Sequence, residues 1–205
     1  MKNAKAKLEF IEWCDLWVTG ASPADGRPRV LLVGDSITRS YFEGVEKILG
    51  DRFYCARLTT SRCVCDPKFK KELALLVKEF RFSVIHFNNG LHGWAFTETA
   101  YAKGLARTID FLIRQGNGAK VILGSTTPVW VSGQPGALDP KTERVRERNR
   151  IALDLAARHN LPVNGLFQQV IGHPEYFAED GVHFNGQGQE ILAREVAKAI
   201  LQTTA

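Results

Sequence analysis

What most constrains the fold of this chain is the alternation of short apolar runs with amphipathic stretches. Arg29–Gly34, Phe53–Leu58, Ser83–Phe87 and Ala119–Gly124 are largely apolar, and Leu161–Val163 begins a fifth such run. Continuous apolar runs of this length read as strands buried on both faces. Between and after them lie Thr38–Leu49, Lys68–Phe80, Phe96–Arg114, Thr142–Arg158 and Asn185–Ile200. These carry apolar residues at helical spacing, such as Leu73, Leu76, Val77 and Phe80, or Ile191, Leu192, Val196 and Ile200. The pattern predicts a three-layer α/β/α sandwich around a five-stranded, mainly parallel, flavodoxin-like sheet with right-handed crossovers.

Residues 1–28 stand apart from that pattern. Trp13 and Trp17 are four apart and can share a helix face, which predicts an N-terminal helix over residues 5–18. Thr19–Pro28 is a turn-rich linker. The helix is expected to pack on the domain formed by residues 29–205, with contact to a partner subunit as the alternative. No internal repeat or second domain is evident.

Composition narrows the function classes. The chain has 205 residues, 44% hydrophobic and 24% charged, as expected of a soluble globular protein. Its net charge is +5, but basic residues are interleaved with acidic ones, so a nucleic-acid partner is not expected. No apolar run is long enough to span a membrane. Lys2, Lys5 and Lys7 are followed by Glu9, Glu12 and Asp15 rather than by the apolar core of a signal peptide. A cytoplasmic protein is expected, although a secreted form with its leader removed would read the same. Cys14, Cys55, Cys63 and Cys65 are expected to be free, buried or partly buried thiols, because a domain of this size needs no disulfides. Cys63-x-Cys65 is too tight for the usual zinc pair, and no metal or cofactor is expected.

Three segments carry candidate chemistry. The first is Gly34-Asp35-Ser36-Ile37, at the end of the first apolar run. A serine at such a strand-to-helix turn is exposed beside unpaired helical amides, which can stabilise negative charge on an acyl oxygen. The alternative is that Ser36 or Thr38 caps the helix. The second is Asp180-Gly181-Val182-His183. Here a turn can fold Asp180 back to hold Nδ1–H of His183 while Nε2 takes a proton from Ser36. The alternative is a local Asx turn with His183 in a polar niche. In a doubly wound sheet both segments lie at the same edge. The third is Asn88-Asn89-Gly90-Leu91-His92-Gly93-Trp94, where Asn89 or His92 can donate to an oxyanion, or the Asn side chains can satisfy a tight turn. Trp94 reads equally as a pocket wall and as a helix-start anchor.

Other tempting residues have plainer readings. His86 is a core histidine, His159 sits at a helix end and His173 lies in a loop. Arg144, Arg146, Arg148 and Arg150, with Glu143 and Glu147, form a solvated helix face. Arg39, Arg57 and Arg62 lie near the expected rim, where one can bind an anionic part of a substrate. The Gly133–Pro140 loop either lines a pocket or simply connects two elements.

Gly34-Asp35-Ser36-Ile37 together with Asp180-x-x-His183 resembles the GDSL/SGNH hydrolases. Ser125-Thr126-Thr127-Pro128 and Arg146-x-x-Asn149 extend the similarity, which runs from about Arg29 to Ile200. The resemblance implies Ser36 as nucleophile, His183 as base and Asp180 as its orienter, acting on esters without metal or cofactor. It also implies an oxyanion hole built from the Ser36 amide, a glycine amide of a second block and an asparagine of a third. This chain departs at both later positions. It has no glycine between Asp51 and Asn89, with Thr59-Thr60-Ser61-Arg62 in the corresponding loop. His92 stands where the family has asparagine, and Asn88 or Asn89 is the fallback. The expected activity is hydrolysis of a short-acyl ester, acetyl on carbohydrate being the leading class. The alternatives are a lysophospholipase or thioesterase, and a weak or inactive member that binds a glycan or small ester. A flavodoxin-like phosphate binder is disfavoured, because the turn after Gly34 lacks the glycines and lysine of a P-loop.

Overall fold

Val30 and Leu32 of the strand Arg29–Gly34 face one apolar layer and Leu31 and Val33 the other, and all four are fully buried. A strand apolar on both sides needs helices on both sides. The computed structural model describes residues 8–22 and 25–204. In chain order the elements are β1 (Cys14–Val18), β2 (Arg29–Gly34), α1 (Ser36–Leu49), β3 (Tyr54–Thr60), α2 (Pro67–Val77), β4 (Val84–Phe87), α3 (Glu98–Gln115) and β5 (Lys120–Gly124). There follow α4 (Lys141–His159), β6 (Val163–Asn164), the short α5 (Leu166–Val170), a 3-10 turn at Pro174–Tyr176, and α6 (Gly186–Thr204). The sheet order is β1-β3-β2-β4-β5-β6, parallel throughout except for β1 against β3.

The layers follow from the apolar faces. Phe42 and Val45 of α1 pack with Leu192 and Val196 of α6 on one side of the sheet. Phe69 and Leu73 of α2, Ile109 of α3 and Leu155 of α4 cover the other. This is the α/β/α sandwich that the alternation implies, with one strand more than expected. The chain leaves β2 toward β3 on one side and returns to β4 on the other. That reversal opens a crevice at the carboxyl ends of β2 and β4, where ligands of such sheets bind.

The N-terminal helix is a correction. Cys14–Val18 form an edge strand, antiparallel to β3, with Trp17 opposite Arg57. A separation of four places Trp13 and Trp17 on one face of a strand as well as of a helix, so the spacing alone does not choose. The aromatic faces find cations, with Arg39 over Trp13 and Arg57 over Trp17, and Asp15 pairs with Arg57 at 2.8 Å. Lys2, Lys5 and Lys7 lie outside the described residues.

The arginine face of α4 is a second correction. Arg150 is solvated and paired with Glu147 and Asp154. Arg148 is only 1% exposed. Its guanidinium donates to the carbonyls of Gly90 (2.8 Å), His92 (2.7 Å) and Gly93 (3.3 Å), and to Glu98 of α3 at 3.3 Å. Arg144, one turn earlier, reaches Glu98 and the carbonyls of Trp94 and Phe96. Both guanidinium groups lie over the Trp94 ring, which makes Trp94 an anchor of this turn. Arg148→Leu would leave three carbonyls without that donor and take from Glu98 one of its two guanidinium partners, Arg144 remaining. It is expected to cost about 3–5 kcal/mol in urea denaturation, the scale of a broken buried ion pair.

Candidate active site

The turn between β2 and α1 is built by Asp35, not by Ser36 or Thr38. Asp35 is buried, and its Oδ1 accepts the Ile37 amide at 2.9 Å, capping α1. Thr38 instead bonds the Tyr41 hydroxyl at 3.0 Å, and packs so closely on Gly34 that a Cβ there would lie 2.0 Å from Thr38 Oγ1. With the capping role taken by its neighbour, the Ser36 hydroxyl is free. It lies 2.9 Å from Nε2 of His183.

His183 comes from the loop before α6, which is held at several points. Phe177 and Phe184 form an antiparallel bridge, and the Ala178 amide donates to the His183 carbonyl at 2.8 Å. Asp180 folds back as the spacing predicts. Its Oδ1 accepts the amides of Val182 (2.8 Å) and His183 (2.9 Å), while Oδ2 lies 2.6 Å from His183 Nδ1. The Asx turn and the side-chain pair therefore coexist. Partial burial raises the Asp180 carboxyl, but the His183 ring and the two amides outweigh it and hold it below the ordinary carboxylate range. A carboxylate only accepts, so Nδ1 carries a proton, and in the neutral ring Nε2 offers its lone pair to Ser36 Oγ–H. That chain can withdraw the serine proton as Oγ attacks an electrophile.

The loop after β5 buttresses this turn. Trp130 N donates to Gly181 O at 2.8 Å and Gly133 N to Glu179 O at 2.9 Å, and the Trp130 ring packs edge-on against Phe177. Gly133–Pro140 is thus more than a connector, since its first residue holds the Asp180 loop.

No family model matches the chain, and no curated protein matches it. Solved structures do. A GDSL-like lipase from Bacteroides thetaiotaomicron aligns with a TM-score of 0.63 at 19% identity, over 85% of this chain and 88% of its own. The lipase/acylhydrolase from Enterococcus faecalis aligns at 0.65 and 21% identity, over 85% and 96%. Axe2, an acetylxylan esterase from Geobacillus stearothermophilus, aligns at 0.65 and 18% identity, over 84% and 94%. The chain has the fold of the GDSL-like lipases and acylhydrolases.

Within that fold, the loops flanking Ser36 carry the remaining candidates. The Asn89 side chain staples two of them together, accepting Val64 N at 3.0 Å and donating to Arg62 O at 2.9 Å. Asn88 donates to Gly124 O at 2.8 Å. His92 keeps Nε2 without a hydrogen-bond partner among the described residues, while its Nδ1 lies 2.9 Å from Glu9 Oε2. In the loop that lacks the glycine, the amides of Ser61, Arg62, Val64, Cys65 and Asp66 are all engaged. The Cys63 amide has no partner among the described residues, so a backbone donor survives there.

The other candidates are accounted for. Arg62 is enclosed by Glu12, Asp66 and Glu72, and Arg57 pairs with Asp15, which leaves Arg39 as the exposed cation of the three. His86 is sealed in the core, with one ring nitrogen 3.2 Å from Asn164 Nδ2, and burial pushes it down to about 4. All four cysteines are free, Cys14 on the surface. Among the described residues no group of three or more His, Cys, Asp or Glu side chains is placed to hold a metal ion. A cleft of about 750 Å³ between α2 and α3 is lined by Lys70, Arg107 and Phe111 among others and reaches Val64 and Cys65, but none of Ser36, His92, Asp180 and His183 lines it. Sequence reasoning missed Glu9 and Arg148, which act through contacts far along the chain and carry no local signal.

Gly181 has φ +73°, and a Cβ there would lie 2.3 Å from the Trp130 carbonyl oxygen. Gly181→Ala is expected to destabilise the fold by about 1–3 kcal/mol, the usual cost of such backbone strain. Thermal denaturation measures it.

Proposed function

We propose that the protein is a metal-independent serine esterase that removes short acyl groups, acetyl foremost, from carbohydrate or other small-molecule esters. One observation carries the reading: Ser36, His183 and Asp180 form a continuous hydrogen-bonded chain at the sheet edge, at 2.9 and 2.6 Å. Ser36 Oγ attacks the ester carbonyl as His183 Nε2 takes its proton. The resulting oxyanion is held by the Ser36 amide, the Cys63 amide and the His92 ring. His183 then protonates the leaving alkoxide, and the acyl-enzyme forms. Water, deprotonated by the same nitrogen, releases the acid.

Two further observations support the substrate class. Asp180 and His183 are about half exposed, at 52% and 45%, so the site is open to an ester on a bulky or polymeric carrier. Axe2, which shares the fold, is described as an acetylxylan esterase. The test is acetate release from small aryl esters by the wild type and by Ser36→Ala. A loss of at least about 10³-fold is expected, the scale of nucleophile removal in serine hydrolases. Equal rates would sink the claim. Repeating the assay with longer acyl chains and thioesters separates the acetylesterase from a lysophospholipase or thioesterase. An inactive wild type across that series would instead favour a glycan- or ester-binding protein.

A further inference from the structure

We propose that Glu9 is a positioning residue that holds the His92 ring as an imidazolium, so that Nε2–H of His92 is the side-chain donor to the oxyanion. The inference rests on the esterase reading of Ser36 and adds to it a charged donor and the segment that maintains it.

Residues 8–13 run across the carboxyl rim of the sheet. Trp13 exchanges hydrogen bonds with Ser61, through Trp13 N to Ser61 Oγ at 2.9 Å and Ser61 N to Trp13 O at 3.1 Å. Ser61 Oγ donates to Glu12 Oε2 at 2.9 Å, and Glu12 Oε1 accepts the Glu9 amide at 2.9 Å. The strap thus delivers the Glu9 carboxylate to the loop after β4. There its two oxygens take consecutive residues, Oε1 the Gly93 amide and Oε2 the His92 Nδ1, each at 2.9 Å. Both partners of the pair are largely shielded, with side-chain exposures of 18% for His92 and 32% for Glu9.

The tautomer decides what His92 can do. Against a carboxylate, Nδ1 carries a proton. In the neutral ring Nε2 is then a lone pair, which would repel an oxyanion, and only the cation presents Nε2–H. An asparagine in this position donates at any pH, whereas His92 donates only when charged.

The charges around the ring favour that state. Glu9 faces it from the strap and Asp35 from the turn after β2, and the Cys63 thiol lies beside it in the loop after β3. Asp35 Oδ1 accepts the Ile37 amide, and its Oδ2 is buried with no hydrogen-bond partner among the described residues. The opposing cation is Arg148 of α4, which donates to the His92 carbonyl and is itself paired with Glu98 of α3. Burial lowers the His92 value, but the Glu9 hydrogen bond and the carboxylates of Asp35 and Glu9 outweigh it, and the ring titrates above the ordinary 6.5. Burial likewise raises Glu9, yet His92, the Gly93 amide and Arg148 bring it below 4.5. The signs fix the window. The His92 contribution is complete below 6.5 and fades as pH rises through its folded value; that of Glu9 is complete above 4.5 and fades as pH falls through its own.

The experiment is the pH profile of kcat/KM on an aryl acetate for the wild type, Glu9→Gln, His92→Ala and His92→Asn. The wild type should lose activity on an alkaline limb as His92 deprotonates. Glu9→Gln, which keeps the shape and removes the charge, should move that limb down by about 1–3 pH units. His92→Ala should lose about 10²–10³-fold, the scale of a removed oxyanion donor. His92→Asn should recover part of that loss and show no such limb. An alkaline limb that stays in place in both Glu9→Gln and His92→Asn overturns the proposal. A wild type as active as Ser36→Ala overturns the esterase reading instead. Imidazole titration by NMR gives a readout independent of turnover. A His92 value above 6.5 that falls in Glu9→Gln supports the clamp, and an ordinary value unaffected by Glu9→Gln rejects it.

Discussion

The guanidinium of Arg148 is buried, and a buried charge must be surrounded by groups that satisfy it. Here those groups are the carbonyls of Gly90, His92 and Gly93 and the carboxylate of Glu98. The requirement works in both directions. The turn between β4 and α3 takes the shape in which its carbonyls converge on one point, and α3 and α4 are drawn to the same place through Glu98 and Arg144. With its carbonyls turned inward, the turn leaves the Gly93 amide and the His92 ring to meet Glu9. The rim beside Ser36 is therefore set by a cation that itself takes no part in the chemistry.

A similar division of labour frees the serine. Asp35 spends one oxygen on the α1 amide that a serine or threonine would otherwise cap, and Thr38 turns toward Tyr41. Ser36 is then a helical residue whose hydroxyl has a single partner among the described residues, the His183 ring. On the far side of that ring, Asp180 divides its oxygens between the backbone of its own turn and Nδ1. The position of His183 thus depends on local geometry, and that geometry depends on Gly181 and on the Trp130 loop that contacts it.

The layers of the fold were legible because parallel strands are apolar on both faces while the covering helices are apolar on one. Val30 to Val33 and Leu73 to Phe80 announce their roles within a few residues. The Asp180–His183 turn was legible for the same reason, since its partners are three residues apart. The edge strand was not, because Trp13 and Trp17 satisfy both periodicities and the choice was made by pairing with β3. Arg148 was misread because its neighbours on α4 are solvated and its carbonyl partners lie more than fifty residues away in sequence. Glu9 stands further still from His92, and in the sequence it read only as an interruption of an apolar segment.

The site contains the same pair of groups twice, a carboxylate against Nδ1 of an imidazole, in two settings. Asp180 and His183 are about half exposed, so water screens the carboxylate and competes for its charge. Glu9 and His92 are more deeply enclosed, where an opposite charge has greater hold over protonation. The proposed esterase chemistry needs one nitrogen that accepts a proton and, with His92 as oxyanion donor, another that offers one. Two identical imidazoles can divide those tasks only if their surroundings differ. Asp35 adds to the difference, as a second carboxylate whose field His92 feels. On this view the histidine in place of asparagine is coupled to the N-terminal strap. Without Glu9 the ring would lose the carboxylate that keeps Nε2 a donor, and without His92 the strap would have only the Gly93 amide to hold at this turn.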